Sequence, residues 1–415
     1  MKILWITNTL FPDICIELGI SVPVIGGWMH SGAKALLNEN SGIKLAVATL
    51  YKGKELKSIH LNGITYFLLP NKWNNRKYEY ALESHWKTIN SQFKPDIVHL
   101  HGSEYPGGLA FIKACSNKNV VVSLQGLVSV YEKYYYGGIS RYTLLKNTTL
   151  RDFVRLDTIF LQQSNMHKRG LWEKETLQSV YHVIGRTLWD KNHTWALNPS
   201  ANYHFCNETL RESFYAGNWE VGKCERYSIF LSQANYPIKG LHKMIEALPL
   251  IIRHFPSVKV YVAGNDFITN RRWKLSGYGK YISSQIDKYR LKDKIIFTGN
   301  LSEKNMCERY LNSHVFVCPS SIENSSNSVG EAQLLGVPCV ASYVGGMSNL
   351  ISQRKTGILY RFEEIEMLAN GVCEIFYNDT LATELSKKGK EEALFRHNGK
   401  INAQQLCSIY ESILR

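Results

Sequence analysis

Cys318-Pro319-Ser320-Ser321-Ile322-Glu323-Asn324-Ser325-Ser326-Asn327-Ser328-Val329-Gly330-Glu331-Ala332 is the stretch on which the reading of this chain turns. Before it, His314-Val315-Phe316-Val317-Cys318 has the apolar, β-branched character of a short buried strand. After it, Glu331-Ala332-Gln333-Leu334-Leu335 reads as a helix stopped by Gly336 and Pro338. The small polar segment between them joins the carboxyl end of a strand to the amino end of a helix. Unpaired backbone N–H groups converge at such a place, and the helix dipole favours a negative ligand. With a carboxylate at each end, Glu323 and Glu331, the loop suits a ligand with hydroxyls on both sides of its phosphates. A nucleotide-sugar has that chemistry.

The same grammar runs through the whole chain. Short β-branched runs at Lys2–Ile6, Lys44–Leu50, Ile64–Leu69, Asp96–His101, Val120–Gln125, Tyr181–Gly185 and Tyr203–Cys206 alternate with helical patterns such as Tyr80–Phe93 and Gly108–Ser116. The second half repeats the alternation, with strands expected at Ser228–Ser232, Lys259–Ala263, Ile295–Thr298, Val315–Cys318 and Cys339–Tyr343. Strands separated by amphipathic helices imply parallel, doubly wound sheets. A polar, glycine-containing stretch at Gly217–Glu225 is the expected break. It gives a first domain over 1–216, a second over 217–395, and an amphipathic terminal helix in 396–415.

Composition bounds the function. A chain of 415 residues can build two domains, each with a proper core. No apolar run approaches the roughly 20 residues of a membrane span, and the opening Met1–Ile6 is too short for a signal peptide. Nine cysteines without CxxC pairs imply buried, reduced thiols and a cytoplasmic setting. There is no zinc-ligand spacing, no Asp-x-Asp, no P-loop and no isolated GxGxxG, so neither a metal nor another cofactor is expected. The net charge of +14 is not gathered into a nucleic-acid recognition motif, and no nucleic-acid partner is expected. Between Tyr134 and Arg169 tyrosines mix with Arg141, Lys146, Arg151, Arg155 and Lys168. That segment is either an interfacial one, giving peripheral contact with an anionic membrane, or a solvated helical face.

The Glu323-x7-Glu331 arrangement resembles the motif of the GT-B retaining glycosyltransferases, in particular glycosyltransferase family 4. The resemblance continues through Gly336–Ser342, Val344-Gly345-Gly346, Lys355–Leu359, Phe297-Thr298-Gly299-Asn300-Leu301 and Lys239-Gly240, covering most of residues 225–390 in order. Ile184–Asp190 and Asn207–Arg211 resemble the subgroup found in bacterial surface-polysaccharide synthesis. The resemblance implies two Rossmann-like domains facing across a cleft, with the terminal helix crossing back to the first. It implies a retaining transfer of a sugar from a nucleoside-diphosphate donor to an acceptor hydroxyl, such as a lipid-linked oligosaccharide. The rival readings are a sugar-nucleotide epimerase of the same fold and a non-catalytic nucleotide-sugar-binding partner protein.

By the same resemblance Glu331 receives the ribose hydroxyls, Glu323 faces the donor sugar, and Lys239 neutralises the diphosphate. Backbone N–H groups of Asn324, Ser325 and Ser326 hold sugar hydroxyls, those of Asn327 and Ser328 the phosphates, and Leu301 joins the donor pocket. Gly26-Gly27 stands where a glycine turn approaches the donor, after an insertion at Pro12–Val24 that shapes the acceptor side. His101 and Gln125 are expected at the reaction centre, with His99 one step deeper as a core histidine. Arg186, Asp190, Glu208 and Arg211 form structural ion pairs or touch the acceptor. Three departures stand out: Asn-Ser-Ser follows Glu323 instead of glycine and phenylalanine, Gln125 replaces a histidine, and Ser232-Gln233 replaces a glycine-arginine pair. Arg271, Arg272 or Lys274 would have to supply the missing cation.

Overall fold

The computed structural model describes residues 1–23, 26–71, 78–268 and 274–415. Val24 of the insertion, and Arg271 and Arg272, lie outside the described residues. The chain divides into two compact units. The first comprises Met1–Tyr131, Asn165–Arg211 and Arg396–Arg415; the second comprises Glu132–Ser164 and Glu212–Phe395.

The first unit is built on β1 (Lys2–Thr7), β2 (Lys44–Tyr51), β3 (Lys57–Leu61), β4 (Ile64–Pro70), β5 (Ile97–His101), β6 (Val120–Ser123), β7 (His182–Gly185) and β8 (Asn202–Phe205). They form one sheet in the order β3-β4-β2-β1-β5-β6-β7-β8, parallel throughout except for the β3–β4 hairpin. β1 is buried along almost its whole length, as a strand covered on both faces must be. Ile3 and Trp5 enter one core layer with Leu36 and Tyr410, while Leu4 and Ile6 enter the other with Trp86 and Phe111.

The terminal helix Gly399–Leu414 is held in the first of these layers by a directional chain of hydrogen bonds. Trp5 Nε1 donates to the Tyr410 hydroxyl at 2.9 Å, and that hydroxyl lies 2.6 Å from His99 Nδ1. A tyrosine that already accepts from Trp5 gives its own proton to His99 Nδ1. His99 Nε2–H then donates to the Ser123 hydroxyl at 2.6 Å. Burial, with His101 beside it, pushes the His99 pKa well below its ordinary value. It is a satisfied core histidine.

The second unit carries β9 (Glu225–Leu231), β10 (Lys259–Val262), β11 (Ile295–Phe297), β12 (Ser313–Cys318), β13 (Cys339–Ser342) and β14 (Ile358–Tyr360). Their order is β11-β10-β9-β12-β13-β14, with every pairing parallel. In both sheets the order reverses beside the unit's first strand, between β1 and β5 and between β9 and β12. In open α/β sheets ligands bind at such switch points, at the carboxyl ends of the strands.

Two features depart from the sequence reading. Gly217–Glu225 is not a loose linker: Trp219 is buried, its backbone N–H donates to Leu335 O at 2.8 Å and its indole N–H to Ser313 O at 2.7 Å. The second unit already resumes at Glu212. Residues 132–164, expected within a first domain over 1–216, group with the second unit. Thr149 Oγ1 donates to Leu275 O at 3.0 Å, Gly277 N donates to the Asp152 carboxylate at 2.8 Å, and His242 Nε2 donates to Gly137 O at 2.8 Å. The partners are 105 to 126 residues apart, beyond any local pattern.

Candidate functional site

At the switch point of the second sheet, the loops leaving β9, β12 and β13 meet. Lys239 ends a tight turn, Pro237–Lys239, and Gly240 follows with φ 71°. A Cβ on Gly240 would lie 1.7 Å from Pro319 O, so only glycine lets the β9 loop lie against the β12 loop. Ser321 N donates to Ile238 O at 2.7 Å across the same seam. On the other side, a Cβ on Gly345, φ 51°, would lie 1.9 Å from Glu323 O, which accepts from Gly346 N at 3.0 Å.

This packing fixes Glu323. Its Oε1 accepts from Lys239 Nζ at 2.6 Å and from the Ser320 hydroxyl at 2.7 Å. The carboxylate is nearly buried, while the Lys239 side chain keeps a fifth of its surface exposed. Burial alone would push the Lys239 ammonium down; the Glu323 carboxylate outweighs it, and the pKa rises above its ordinary value. Lys239 is therefore a permanent cation. Cys318, at the end of β12, has its thiol pushed up to about 11, by burial first and then by Glu323.

Beyond Glu323, Asn324 and Ser326 are buried, and a helix runs over Asn327–Leu335. The sequence pattern alone starts it at Glu331. Ser326 instead occupies the N-cap, a position serine favours, with no side-chain hydrogen bond closing the helix end. The positive end of the helix thus lies at Ser326–Ser328, which includes Asn327 and Ser328, where phosphate contacts are expected. Glu331 is displaced to the second turn and buried, outside the reach of the dipole at the helix start. Leu301 is half-buried in the loop after β11, the edge strand, on the far side of β10 and β9 from Glu323.

The expected first-unit residues gather at the other switch point. Gly26, φ 86°, caps helix Gly27–Glu39 after β1, and a Cβ on Gly27 would lie 3.0 Å from Arg211 Cδ. His101 ends β5, with Trp5 4.2 Å away and Trp28 6.0 Å away between ring centroids. Both His101 ring nitrogens are buried without a hydrogen-bond partner, and burial pushes its pKa down to about 3. It lines a cavity of about 50 Å³ with Trp5, Trp28, Arg186, Glu208 and Asn402. Such a space holds a few waters or a ligand hydroxyl.

Gln125 Nε2 donates to Glu208 Oε1 at 2.7 Å, and Arg186 pairs with Glu208 Oε2. Arg186 also donates to Leu124 O at 3.0 Å. Asp190 accepts from the Arg186 backbone N–H at 3.0 Å and closes a capping box with Thr187. Arg186 and Glu208 form an ion pair and also line the cavity, whereas Asp190 makes backbone and capping contacts.

Sequence reasoning passes over Glu104. It follows β5 by three residues, and its Oε2 is buried without a hydrogen-bond partner, folded against Gly102. Burial, helped by Glu173 and Glu208 against its own backbone N–H and Arg169, pushes its carboxyl up to about 7. The run Gly102-Ser103-Glu104 just past a strand end at the switch point is the available signal. Among the described residues, no three His, Cys, Asp or Glu side chains converge as metal ligands, and no helix is long and apolar enough to cross a membrane.

Residues 218–392 match the family model for glycosyl transferases group 1. Bacillus subtilis YtcC, whose own name marks it as a candidate glycosyltransferase, is 25% identical over 361 residues, 85% of this chain and 79% of that protein. The chain spans about half the length of other curated relatives that it matches. A solved sucrose-phosphate synthase from Thermosynechococcus elongatus superimposes with a TM-score of 0.72 at 16% identity, covering 100% of this chain and 99% of that one. Anabaena HepE in complex with UDP-glucose gives 0.67 at 14% identity, covering 99% and 100%. The chain has the GT-B fold, and its residues 218–392 are similar to the glycosyl transferases group 1 family.

Proposed function

We propose that this protein is a retaining glycosyltransferase of family 4 type, moving a sugar from a nucleoside-diphosphate donor to an acceptor hydroxyl. The observation that carries the reading is the Lys239–Glu323 pair at the β9/β12 switch point, beside the open start of helix Asn327–Leu335. The donor diphosphate lies on that helix start, where backbone N–H groups and the dipole meet it, with Lys239 neutralising the charge that develops on the leaving phosphate. Glu323 orients the ammonium and receives a sugar hydroxyl on its remaining lone pairs, and Glu331 receives the ribose. The UDP-glucose bound by HepE supports a nucleotide-sugar as the ligand of this fold.

Front-side transfer fits the residues present: the departing phosphate oxygen takes the acceptor proton, while Lys239 and the helix start stabilise the diphosphate. A metal is not required by this scheme, and turnover should survive EDTA; loss of activity restored by magnesium or manganese would overturn that part. In the first unit, His101 and Glu104 present unpartnered polar atoms that suit an acceptor hydroxyl. The acceptor is a lipid-linked oligosaccharide of a bacterial surface polysaccharide, made at the cytoplasmic face of the membrane.

A non-catalytic nucleotide-sugar-binding protein is the second reading. It is favoured by Gln125, which offers no imidazole at that position and has its amide tied to Glu208. One experiment separates the two. The protein is screened by thermal shift against nucleoside diphosphates and their sugars, and the stabilising donor is then incubated in labelled form. A ligand at about 100 times its dissociation constant stabilises by about 2.7 kcal/mol. Stabilisation followed by donor turnover that Glu323→Gln abolishes supports the enzyme. Stabilisation without turnover supports the binder, conversion to an epimeric donor supports an epimerase, and no stabilisation by any donor removes both readings.

A further inference from the structure

Residues 141–156 of the second unit expose apolar side chains that a solvated surface has no use for. Tyr142, Leu150, Val154 and Leu156 are each about three-quarters or more exposed, at 76%, 80%, 77% and 77%, and Leu145 and Phe153 are each 62% exposed. Scattered surface leucines are ordinary, but six large apolar side chains open within sixteen residues mark this segment as a candidate interface. The backbone beneath them is not loose. Helix Arg141–Asn147 is capped by Ser140, helix Leu150–Val154 by a capping box on Thr149, and Asp152 is tied to Gly277. The fold holds these side chains outward.

The charge between them names the occupant. Arg141, Lys146 and Arg155 are exposed, Arg151 is turned inward onto Asp152 and Asp157, and Lys280 Nζ joins the face by donating to Lys146 O at 3.2 Å. A second copy docking through this face about a two-fold axis would bring one cationic patch against an identical cationic patch. Apolar side chains interleaved with cations suit an anionic lipid surface, where the cations meet headgroups and the aromatic and aliphatic groups enter the acyl boundary. We propose that residues 141–156 are a docking surface for an anionic membrane, placed on the nucleotide-sugar unit rather than on the first. The surface is joined to the candidate donor site: Ser321, two residues before Glu323, donates from its hydroxyl to Tyr134 O at 3.1 Å, and His242 holds Gly137. The proposal rests on the lipid-linked acceptor reading for its purpose, though not for its measurement.

The test uses the full chain and vesicles of phosphatidylglycerol mixed with phosphatidylcholine, against vesicles of phosphatidylcholine alone. The expected result is sedimentation with the anionic vesicles, weakened tenfold or more by Phe153→Glu with Leu156→Glu, and similarly by Arg141→Glu with Arg155→Glu. Both variants should keep their thermal stabilisation by the nucleoside diphosphate, which shows that the fold and donor site survive. Absence of binding to anionic vesicles at low salt overturns the proposal, and so does binding that neither pair of substitutions weakens. A concentration-dependent dimer abolished by Phe153→Glu would assign the face to a second copy instead. Failure of the diphosphate to stabilise the wild type would overturn the donor reading while leaving the membrane result to stand or fall alone.

Discussion

Replacing Lys239 by methionine removes the ammonium and keeps most of the side-chain volume, leaving the Glu323 carboxylate with the Ser320 hydroxyl and no cation. Two unit charges about 4 Å apart attract by roughly 4 kcal/mol at an effective dielectric near 20. Breaking a fully buried pair costs about 3–5 kcal/mol, whereas an exposed pair contributes about 1 kcal/mol or less. Glu323 is nearly buried and a fifth of Lys239 is open to water, so the cost falls towards the lower end of the buried range. We expect Lys239→Met to lower the opening free energy of the second unit by about 3 kcal/mol. Glu323→Gln alone should cost less, since an amide still accepts from Lys239 and Ser320. Their combination should recover about 2 kcal/mol of the sum as coupling. Native-state hydrogen exchange of the β12 amides reads this unit without the other, which an unfolding curve of a two-unit chain cannot do. A coupling below about 0.5 kcal/mol would refute the claim that this pair holds the switch point together.

Gly345→Ala should destabilise the second unit and weaken diphosphate binding together, because its Cβ would meet Glu323 O at 1.9 Å in a left-handed backbone conformation. Calorimetry with the free nucleoside diphosphate checks it, and unchanged affinity would count against Glu323 being placed by that loop. Glu331→Gln should weaken the same binding by about 1.5–3 kcal/mol, the value of a charge-assisted hydrogen bond. Burial holds His101 at about 3 and His242 and His314 at about 4, below the ordinary 6.5 or so of an unfolded histidine. A depressed folded pKa favours folding above the unfolded value, so stability should fall as pH drops from about 6.5 towards 4, by up to about 1.4 kcal/mol per pH unit for each histidine. Urea unfolding across that range checks the sign, which a flat or rising profile would reverse. Glu104 receives the acceptor hydroxyl only as a carboxylate, so kcat/KM for the acceptor should rise with pH through about 7, and Glu104→Gln should remove that limb while leaving diphosphate affinity unchanged.

Most of the strands are legible in the chain because parallel strands covered on both faces are short unbroken apolar runs, as in β1 and β12. β3 is not, because Lys57-Ser58-Ile59-His60-Leu61 is an edge strand with polar residues facing water. β14, Ile358-Leu359-Tyr360, is as short as β11 but lacks its second β-branched residue. The start of helix Asn327–Leu335 is hidden since Gly330 reads as a breaker, while the N-cap signal at Ser326 is lost in a run of serines and asparagines. Lys239 and Glu323 are readable as candidates, yet their contact spans 84 residues and follows from sheet order, which no local pattern states. The same holds for Gln125, whose partner Glu208 is 83 residues away. The placement of 132–164 with the second unit is hidden for the same reason, as its anchors to Leu275, Gly277 and His242 are long-range.

The division into units at 131/132, 164/165, 211/212 and 395/396 means that neither is a contiguous piece of chain. The hydrogen bond from Trp5 to Tyr410 closes a loop of 405 residues. At a synthesis rate of about 5–20 residues per second, β1 and its neighbours leave the ribosome some tens of seconds before helix Gly399–Leu414 can cover them. During that interval Trp5 and His99 lack the partner that satisfies them, on a sheet face otherwise ready to pack. The second unit has no such wait, since its residues from Glu132 to Phe395 all precede that helix. Folding during synthesis should therefore run against the usual order: the unit that starts second finishes first. Severing the chain between residues 216 and 217 yields two incomplete halves rather than two domains.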